Sequence, residues 1–236
     1  MKVLVTQSML FPWVGLLEQI SLADIIVHLD EAQFSKGGFC NRVQIKTASG
    51  IKWMTVPVKR EKLSSSIDSI NIDNGVNWKQ RHISLLKSSF SLCPFSGDAL
   101  DLVFSLHNRS YSYISHLSRS SMLLLADYFG LLSNKVLVDS RDLCVTGVGS
   151  CRVLNIVKEV GGTTYITGHG ARNYLDHNQF ESCGINVEYM EYLSLPYPQK
   201  WGEFTPYVSG LDLVANLGKG GSHMIRPKTI SWKEFV

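Results

Sequence analysis

Hydrophobic residues cluster in short runs separated by polar turns, and the runs change period along the chain. Val3-Leu-Val-Thr6 is a continuous apolar run at the N-terminus, and Ile25–Leu29 is a second, β-branched one. Runs of this length predict strands buried on both faces, as in a parallel sheet. Between them the spacing predicts a helix over Val14–Leu22. A β–loop–α–β opening of this kind predicts a doubly wound sheet, whose ligands sit beyond the carboxyl ends of the strands.

The pattern then alters. Val43–Lys46 and Lys52–Pro57 flank Ala48-Ser-Gly50, which predicts a hairpin. Ile67–Ile72 predicts an edge strand, and the polar tract Lys59–Ser66 a mobile loop. Helical periodicity follows over Trp78–Phe90, with Trp78, His82, Leu85 and Ser89 near one face, and over Tyr111–Phe129, stopped by Gly130. Strands and helices alternate again after about residue 135. Lys135–Val138, Thr163–Thr167 and Asn186–Tyr192 predict strands; Ser150–Val160, ended by Gly161-Gly162, predicts a helix. A last helix starts after Ser209, where Asp212 stands in the place of a capping-box glutamate, and stops at Gly218. The expected fold is therefore α/β: a mixed sheet with a doubly wound N-terminal unit and a helical middle section, in one domain over residues 1–236.

Composition narrows the class. With 44% hydrophobic and 18% charged residues, the chain has ample material for a core. No apolar run approaches the roughly 18–20 residues a membrane helix needs, and the N-terminus does not read as a signal peptide. The net charge of +3 hints only weakly at anionic partners, and no polybasic patch points to DNA. Five widely spaced cysteines without a C-x-x-C predict reduced thiols in a cytoplasmic protein, with no metal site.

Three N-terminal constellations carry candidate chemistry. In Gln7-Ser-Met-Leu-Phe-Pro-Trp-Val-Gly15 a strand ends and a helix begins, with Pro12 suited to a first turn. Free N–H groups there suit phosphate, and Gly15 permits close approach of a ligand. The alternative is that Phe11 and Trp13 anchor the core and Gly15 is a packing glycine. In His28-Leu-Asp-Glu-Ala-Gln33, Asp30 follows a strand and is placed to act as a base or ligand-orienting group; a solvated strand end is the alternative. In Phe39-Cys-Asn-Arg-Val-Gln-Ile-Lys46, Arg42 and Lys46 fall on one side of an extended segment, and Asn41 can bond amides or hydroxyls. Cys40 beside Arg42 is a minor nucleophile candidate. His82, Thr167-Gly-His-Gly170, Asp212 and Asn216 are weaker candidates, each with a structural alternative.

Taken in order, these segments resemble the WbqC-like family. The resemblance rests on Gln7-x-x-x-Phe-Pro-Trp-x-Gly15, Leu29-Asp30-x-x-Gln33-Phe34, Asn41-Arg42-x-x-Ile45-Lys46 and Trp53-x-Thr-Val-Pro57. Later marks are Trp78-x-x-x-His82, Tyr165-x-x-Gly168, Tyr197-x-Gln199, Phe204-x-Pro206 and Ser209-x-x-Asp212-x-x-x-Asn216. The set spans nearly the whole chain; it departs from the family's pattern at Ser8, where proline is usual, and at Glu31 of the acid pair.

The resemblance implies a role in O-antigen or other surface-polysaccharide biosynthesis. The reaction it implies attaches an acyl or aminoacyl group, such as glycyl, to the amine of a dTDP- or UDP-linked amino dideoxysugar. The expected partners are that sugar nucleotide and an activated donor, with no cofactor; a homo-oligomer is left open. The chemistry needs a base, for which Asp30 and His82 are candidates, and an oxyanion donor, for which Asn41 or backbone N–H groups near Pro12–Gly15 serve. The expected substrate-binding set is Gln7, Phe11, Trp13, Gly15, Gln33, Arg42, Lys46, Gly168, His169 and Gln199. An ATP-dependent ligase or nucleotidyltransferase, and a non-catalytic sugar-nucleotide binder, are the competing readings.

Overall fold

In the computed structural model, which describes residues 1–59 and 64–236, the N-terminal runs form a parallel pair. Strand β1 (Lys2–Thr6) lies beside β2 (Ile25–His28), with Val3 opposite Ile25 and Thr6 opposite His28. Successive side chains of a strand face opposite sides. Leu4 and Ile26 accordingly join one hydrophobic core, while Val3, Val5, Ile25 and Val27 join another. That two-sided burial is why both runs are uninterruptedly apolar.

Helix α1 (Val14–Leu22) links the pair. The chain then leaves the sheet for the hairpin β3 (Arg42–Thr47) and β4 (Gly50–Thr55), paired antiparallel with Thr47 opposite Gly50. Three helices follow: α2 (Trp78–Ser89), α3 (Ser96–His107) and α4 (Ile114–Tyr128). Gly130, in the left-handed region at φ 71°, ends the last of them. The chain re-enters the sheet at β5 (Val136–Asp139), beside β2. Helix α5 (Gly149–Glu159) carries it across to β6 (Thr164–Thr167), on the other side of β1. Helix α6 (His177–Ser182), β7 (Asn186–Met190), α7 (Gly210–Leu217), β8 (Thr229–Ser231) and α8 (Trp232–Phe235) complete the molecule. The main sheet runs β5-β2-β1-β6-β7-β8, parallel except for β8. The expected α/β class, mixed sheet and helical middle are all present.

Several local expectations are corrected. Ile67–Ile72 is not a ladder strand: Ile67–Ser69 is a 3-10 turn, and Asn71 and Ile72 make single bridges. Its three isoleucines are all buried, so the alternation reported burial, not pairing. Ser209 caps α7 through its Oγ, which accepts from Leu211 N–H, but there is no capping box. Its own N–H is bonded to Gln44, and the Asp212 carboxylate turns inward to Tyr197. Tyr192 lies beyond the end of β7. The tract Lys59–Ser66 falls partly outside the described residues. Among the described residues no helix is long and apolar enough to cross a membrane.

Candidate functional site

The order of connections reverses at β1: α1 leads outward to β2, and α5 returns the chain to β6 on the opposite flank. In open α/β sheets the crevice at such a switch point, beyond the carboxyl ends of the strands, is where ligands bind. A cleft of about 730 Å³ lies there, between Thr6-Gln7 at the end of β1 and Thr167-Gly168 at the end of β6. That volume is in the range of sites for small organic ligands.

Its walls are largely aromatic. Trp13, the residue before α1, stacks at an angle on Tyr192 with ring centroids 4.8 Å apart and on Tyr207 at 5.9 Å. Phe39, Tyr165 and Tyr174 add further rings to a lining that also holds aliphatic and polar residues. An apolar recess of about 210 Å³ between Leu10, Pro12, Val43 and Phe39 continues from it. On the floor, the Tyr192 hydroxyl accepts from Gln19 Nε2 at 2.7 Å and lies over Gly168, where an added Cβ would be 3.0 Å away. Gly168 is thus small because the tyrosine needs the space. Among the described residues no Lys or Arg lines this cleft.

His169 opens the 3-10 turn that follows Gly168, and its ring lies between Tyr192 and Phe235, at 5.1 and 4.8 Å. Its Nε2 is 2.7 Å from the Met190 carbonyl. A carbonyl only accepts, so Nε2 carries a proton, and in the neutral ring Nδ1 is the acceptor.

The cleft brings together four residues singled out in the sequence: Gln7, Trp13, Gly168 and His169. The others lie elsewhere. Asp30 is 2% exposed and fully occupied. It accepts from Ser8 N–H (2.9 Å), Ser8 Oγ (2.7 Å), and Arg119 Nη2 (2.7 Å) and Nε (3.2 Å). Arg119 also bridges to Asp139 at 2.8 Å. Burial would raise the Asp139 carboxyl, but the Arg141 N–H and the Arg119 guanidinium outweigh it and hold it below its ordinary range. His28, in the same cluster, has its pKa pushed down to about 4, first by burial and then by Arg119. Its Nε2 is buried with no partner among the described residues. Glu31 is held by Arg152, with Nε at 3.0 Å, and by Ser140. The cluster ties the carboxyl ends of β2 and β5 to α4 and α5.

His82 is buried in α2, its Nε2 on the Thr55 carbonyl at 2.9 Å, and burial pushes its pKa down to about 4. Asn41 spends its amide on the Val56 carbonyl (2.9 Å), pinning the hairpin. Phe11 is a core residue at φ 36°, strained for a non-glycine side chain; its N–H is bonded to Ser121 Oγ and its carbonyl to Ser209 Oγ. Gly15 accommodates Trp13: a Cβ there would lie 2.3 Å from the indole. The ring therefore folds over the first turn of α1, and the packing alternative holds for this glycine. Gln33 bridges to Ser66. Arg42 donates from Nε to Gly37 O at 3.1 Å and stacks 4.1 Å over Trp53. Lys46, 4% exposed, donates to Gln199 Oε1 (3.1 Å), Gly202 O (3.1 Å) and the Glu203 carbonyl. Gln199 also holds Tyr197 and both polar atoms of the Thr205 peptide. Lys46 and Gln199 thus meet, but as a staple for the 199–205 loop. Burial pushes the Cys40 thiol up to about 12, which disfavours a nucleophile.

Sequence reasoning missed Gln19, Tyr174, Tyr192 and Tyr207. A polar Gln19 inside a helix buried from Gly15 to Ile20 was a legible signal; the tyrosines sit in or beside irregular segments and offered none.

A doubly wound sheet with a cleft lined in part by aromatic rings at its switch point defines an α/β protein. The chain belongs to the WbqC-like protein family, whose family model matches residues 7–223, starting where β1 gives way to the cleft. It is 29% identical over 228 residues to Rv1507c of Mycobacterium tuberculosis (strain ATCC 25618 / H37Rv), an uncharacterized protein. That match covers 95% of this chain and 97% of the relative. No solved structure matches the chain.

Proposed function

We propose that the protein is an amide-forming transferase of surface-polysaccharide biosynthesis. It moves an acyl or aminoacyl group from an activated donor to the amine of a nucleotide-linked amino sugar. The observation that carries the reading is the switch-point cleft with His169 at its floor, an imidazole whose Nε2 is held by Met190 and whose Nδ1 is left as an acceptor. The base is therefore His169 rather than Asp30, whose oxygens are taken up inside the protein, or His82, which is buried and does not line the cleft.

In this reaction the acceptor nitrogen attacks the donor carbonyl, Nδ1 takes the ammonium proton, and that proton passes to the departing group of the donor. Gln7, at the rim, supplies an amide donor for the developing oxyanion. Trp13, Phe39 and Tyr207 offer ring faces to the nucleobase and sugar. Arg42 and Lys46 are committed internally, so phosphate recognition falls to Arg172, exposed on the same turn as His169.

The test is mass spectrometry of a reaction holding a UDP- or dTDP-linked amino sugar and a panel of acyl and aminoacyl donors. A product heavier by one acyl group, absent with His169→Ala, is the expected result. Binding of the sugar nucleotide without product from any donor would leave a non-catalytic binding role, a second reading favoured by the internal commitment of Asp30, Asn41 and Lys46.

A further inference from the structure

Behind the Trp13–Tyr192 wall lies a second, smaller cavity of about 20 Å³, walled by Trp13, Tyr192, Tyr197, Phe204 and Met224, with Glu18 at its side. It shares Trp13, Tyr192 and Ser194 with the main cleft, so the two rings stand between the two spaces. The volume suffices for one water-sized group, which is also the size of an ammonium head.

The chemistry of its walls is specific. Glu18 is 4% exposed and makes no ion pair among the described residues. Its carboxylate accepts from the Arg226 peptide N–H, while the Arg226 guanidinium is turned to His223 O at 2.9 Å. Burial pushes the carboxyl up to about 7, so near neutrality it is poised to ionise when a cation arrives. Both tyrosine hydroxyls have partners, Gln19 for Tyr192 and Asp212 for Tyr197, so the tyrosines give the cavity their rings. The rings stand at angles to one another: Trp13 and Tyr192 at 52°, Tyr197 and Phe204 at 75°. A buried anion without a counter-ion is costly. Aromatic rings converging beside a carboxylate are the arrangement that recognises ammonium groups.

We infer that this cavity is an ammonium site, with Glu18 as counter-ion and the four aromatic rings as its cage, and that it holds the α-ammonium of the donor's aminoacyl group. The assignment to the donor rests on the transferase reading; the ammonium site itself does not. It makes the donor aminoacyl rather than plain acyl, its carbonyl reaching past Trp13 into the cleft.

The test is a binding titration with glycinamide, an unreactive aminoacyl mimic, and with acetamide, which lacks the ammonium. Glycinamide is expected to bind saturably to the wild-type protein at about pH 7.5, and acetamide not to. Glu18→Gln should weaken glycinamide at least about tenfold. Wild-type affinity should fall by about tenfold or more between about pH 7.5 and about pH 5.5, as Glu18 takes up its proton; this arm needs no variant. Equal binding of acetamide, unchanged affinity in Glu18→Gln or at low pH, or no saturable binding of glycinamide would each overturn the site. Product formation without glycinamide binding would overturn the ammonium site alone. Glycinamide binding without product from any donor would overturn the transferase reading alone.

Discussion

Arg119 closes on Asp30 through two nitrogens, Nη2 at 2.7 Å and Nε at 3.2 Å, both directed at Oδ2. The other oxygen takes the Ser8 N–H, so one buried carboxylate fixes the loop after β1 to helix α4. Removing it strips the partly buried guanidinium of one of its two carboxylate partners, leaving Asp139, and takes the acceptor from the Ser8 N–H and hydroxyl. Asp30→Ala should lower the unfolding free energy by about 3–5 kcal/mol, read by urea denaturation. A catalytic base would show the reverse: wild-type stability and lost turnover.

His169 should behave oppositely. Its ring is exposed and held by stacking and one carbonyl bond, so His169→Ala should shift stability by no more than about 1 kcal/mol. Turnover, measured with the acceptor and donor that the mass assay identifies, should drop by about 10²–10⁴-fold while KM for the sugar nucleotide changes little. A matched rise in KM without loss of kcat would make His169 a binding residue only.

Gly15→Ala probes the Trp13 wall. The added methyl would lie 2.3 Å from the indole, far inside contact distance, so the ring must move. The displacement opens both the cleft and the cavity beside Glu18, because Trp13 lines each. A stability loss of about 1–3 kcal/mol is expected. It should come with a changed tryptophan emission spectrum and easier acrylamide quenching. Unchanged emission would mean the ring does not rest on Gly15.

How much of this was legible depends on the range of the interaction. The runs Val3–Val5 and Ile25–Val27 announced two buried strands because two-sided burial leaves a local trace. The helix α3 left one as well, in Ala99, Val103 and Leu106 at helical spacing, and was overlooked beside stronger patterns. Residue types at strand ends were readable for Gln7 and Gly168. Commitments were not: Asp30 looks like a free acid until Arg119, 89 positions away, is seen on it. Lys46 looks like a solvated cation until the 199–203 loop closes over it. Tyr192 and Tyr207 of the cleft come from irregular segments whose path only the packed structure defines. Family-like motifs marked the carboxyl ends of β1 and β6 without separating residues that line the cleft from those that hold the frame.

The last prediction concerns pH. Trp78, His82 and His107 form a buried triangle, with ring centroids 5.1, 5.1 and 5.6 Å apart. Burial holds both histidines neutral, with pKa pushed down to about 4, and for His107 the neighbouring His82 and Lys79 add to this. The unfolded chain protonates its histidines near 6.5, so between about pH 6.5 and 4 it binds more protons than the folded one. Stability from these rings is therefore complete above 6.5 and lost as pH falls toward 4. Glu18 and Asp212, raised by burial to about 7 and about 6, act with the opposite sign in the same window, and the wild-type curve alone is a compromise. A difference between proteins isolates the ring. His82→Gln keeps a donor for the Thr55 carbonyl but cannot titrate. It should be less stable than wild type at about pH 7, by about 1–2 kcal/mol of lost packing. That deficit should shrink or reverse by about 2 kcal/mol at about pH 4.5, in paired urea titrations. A deficit independent of pH would mean that His82 titrates in the folded protein as it does in the unfolded chain, so that burial does not hold it neutral.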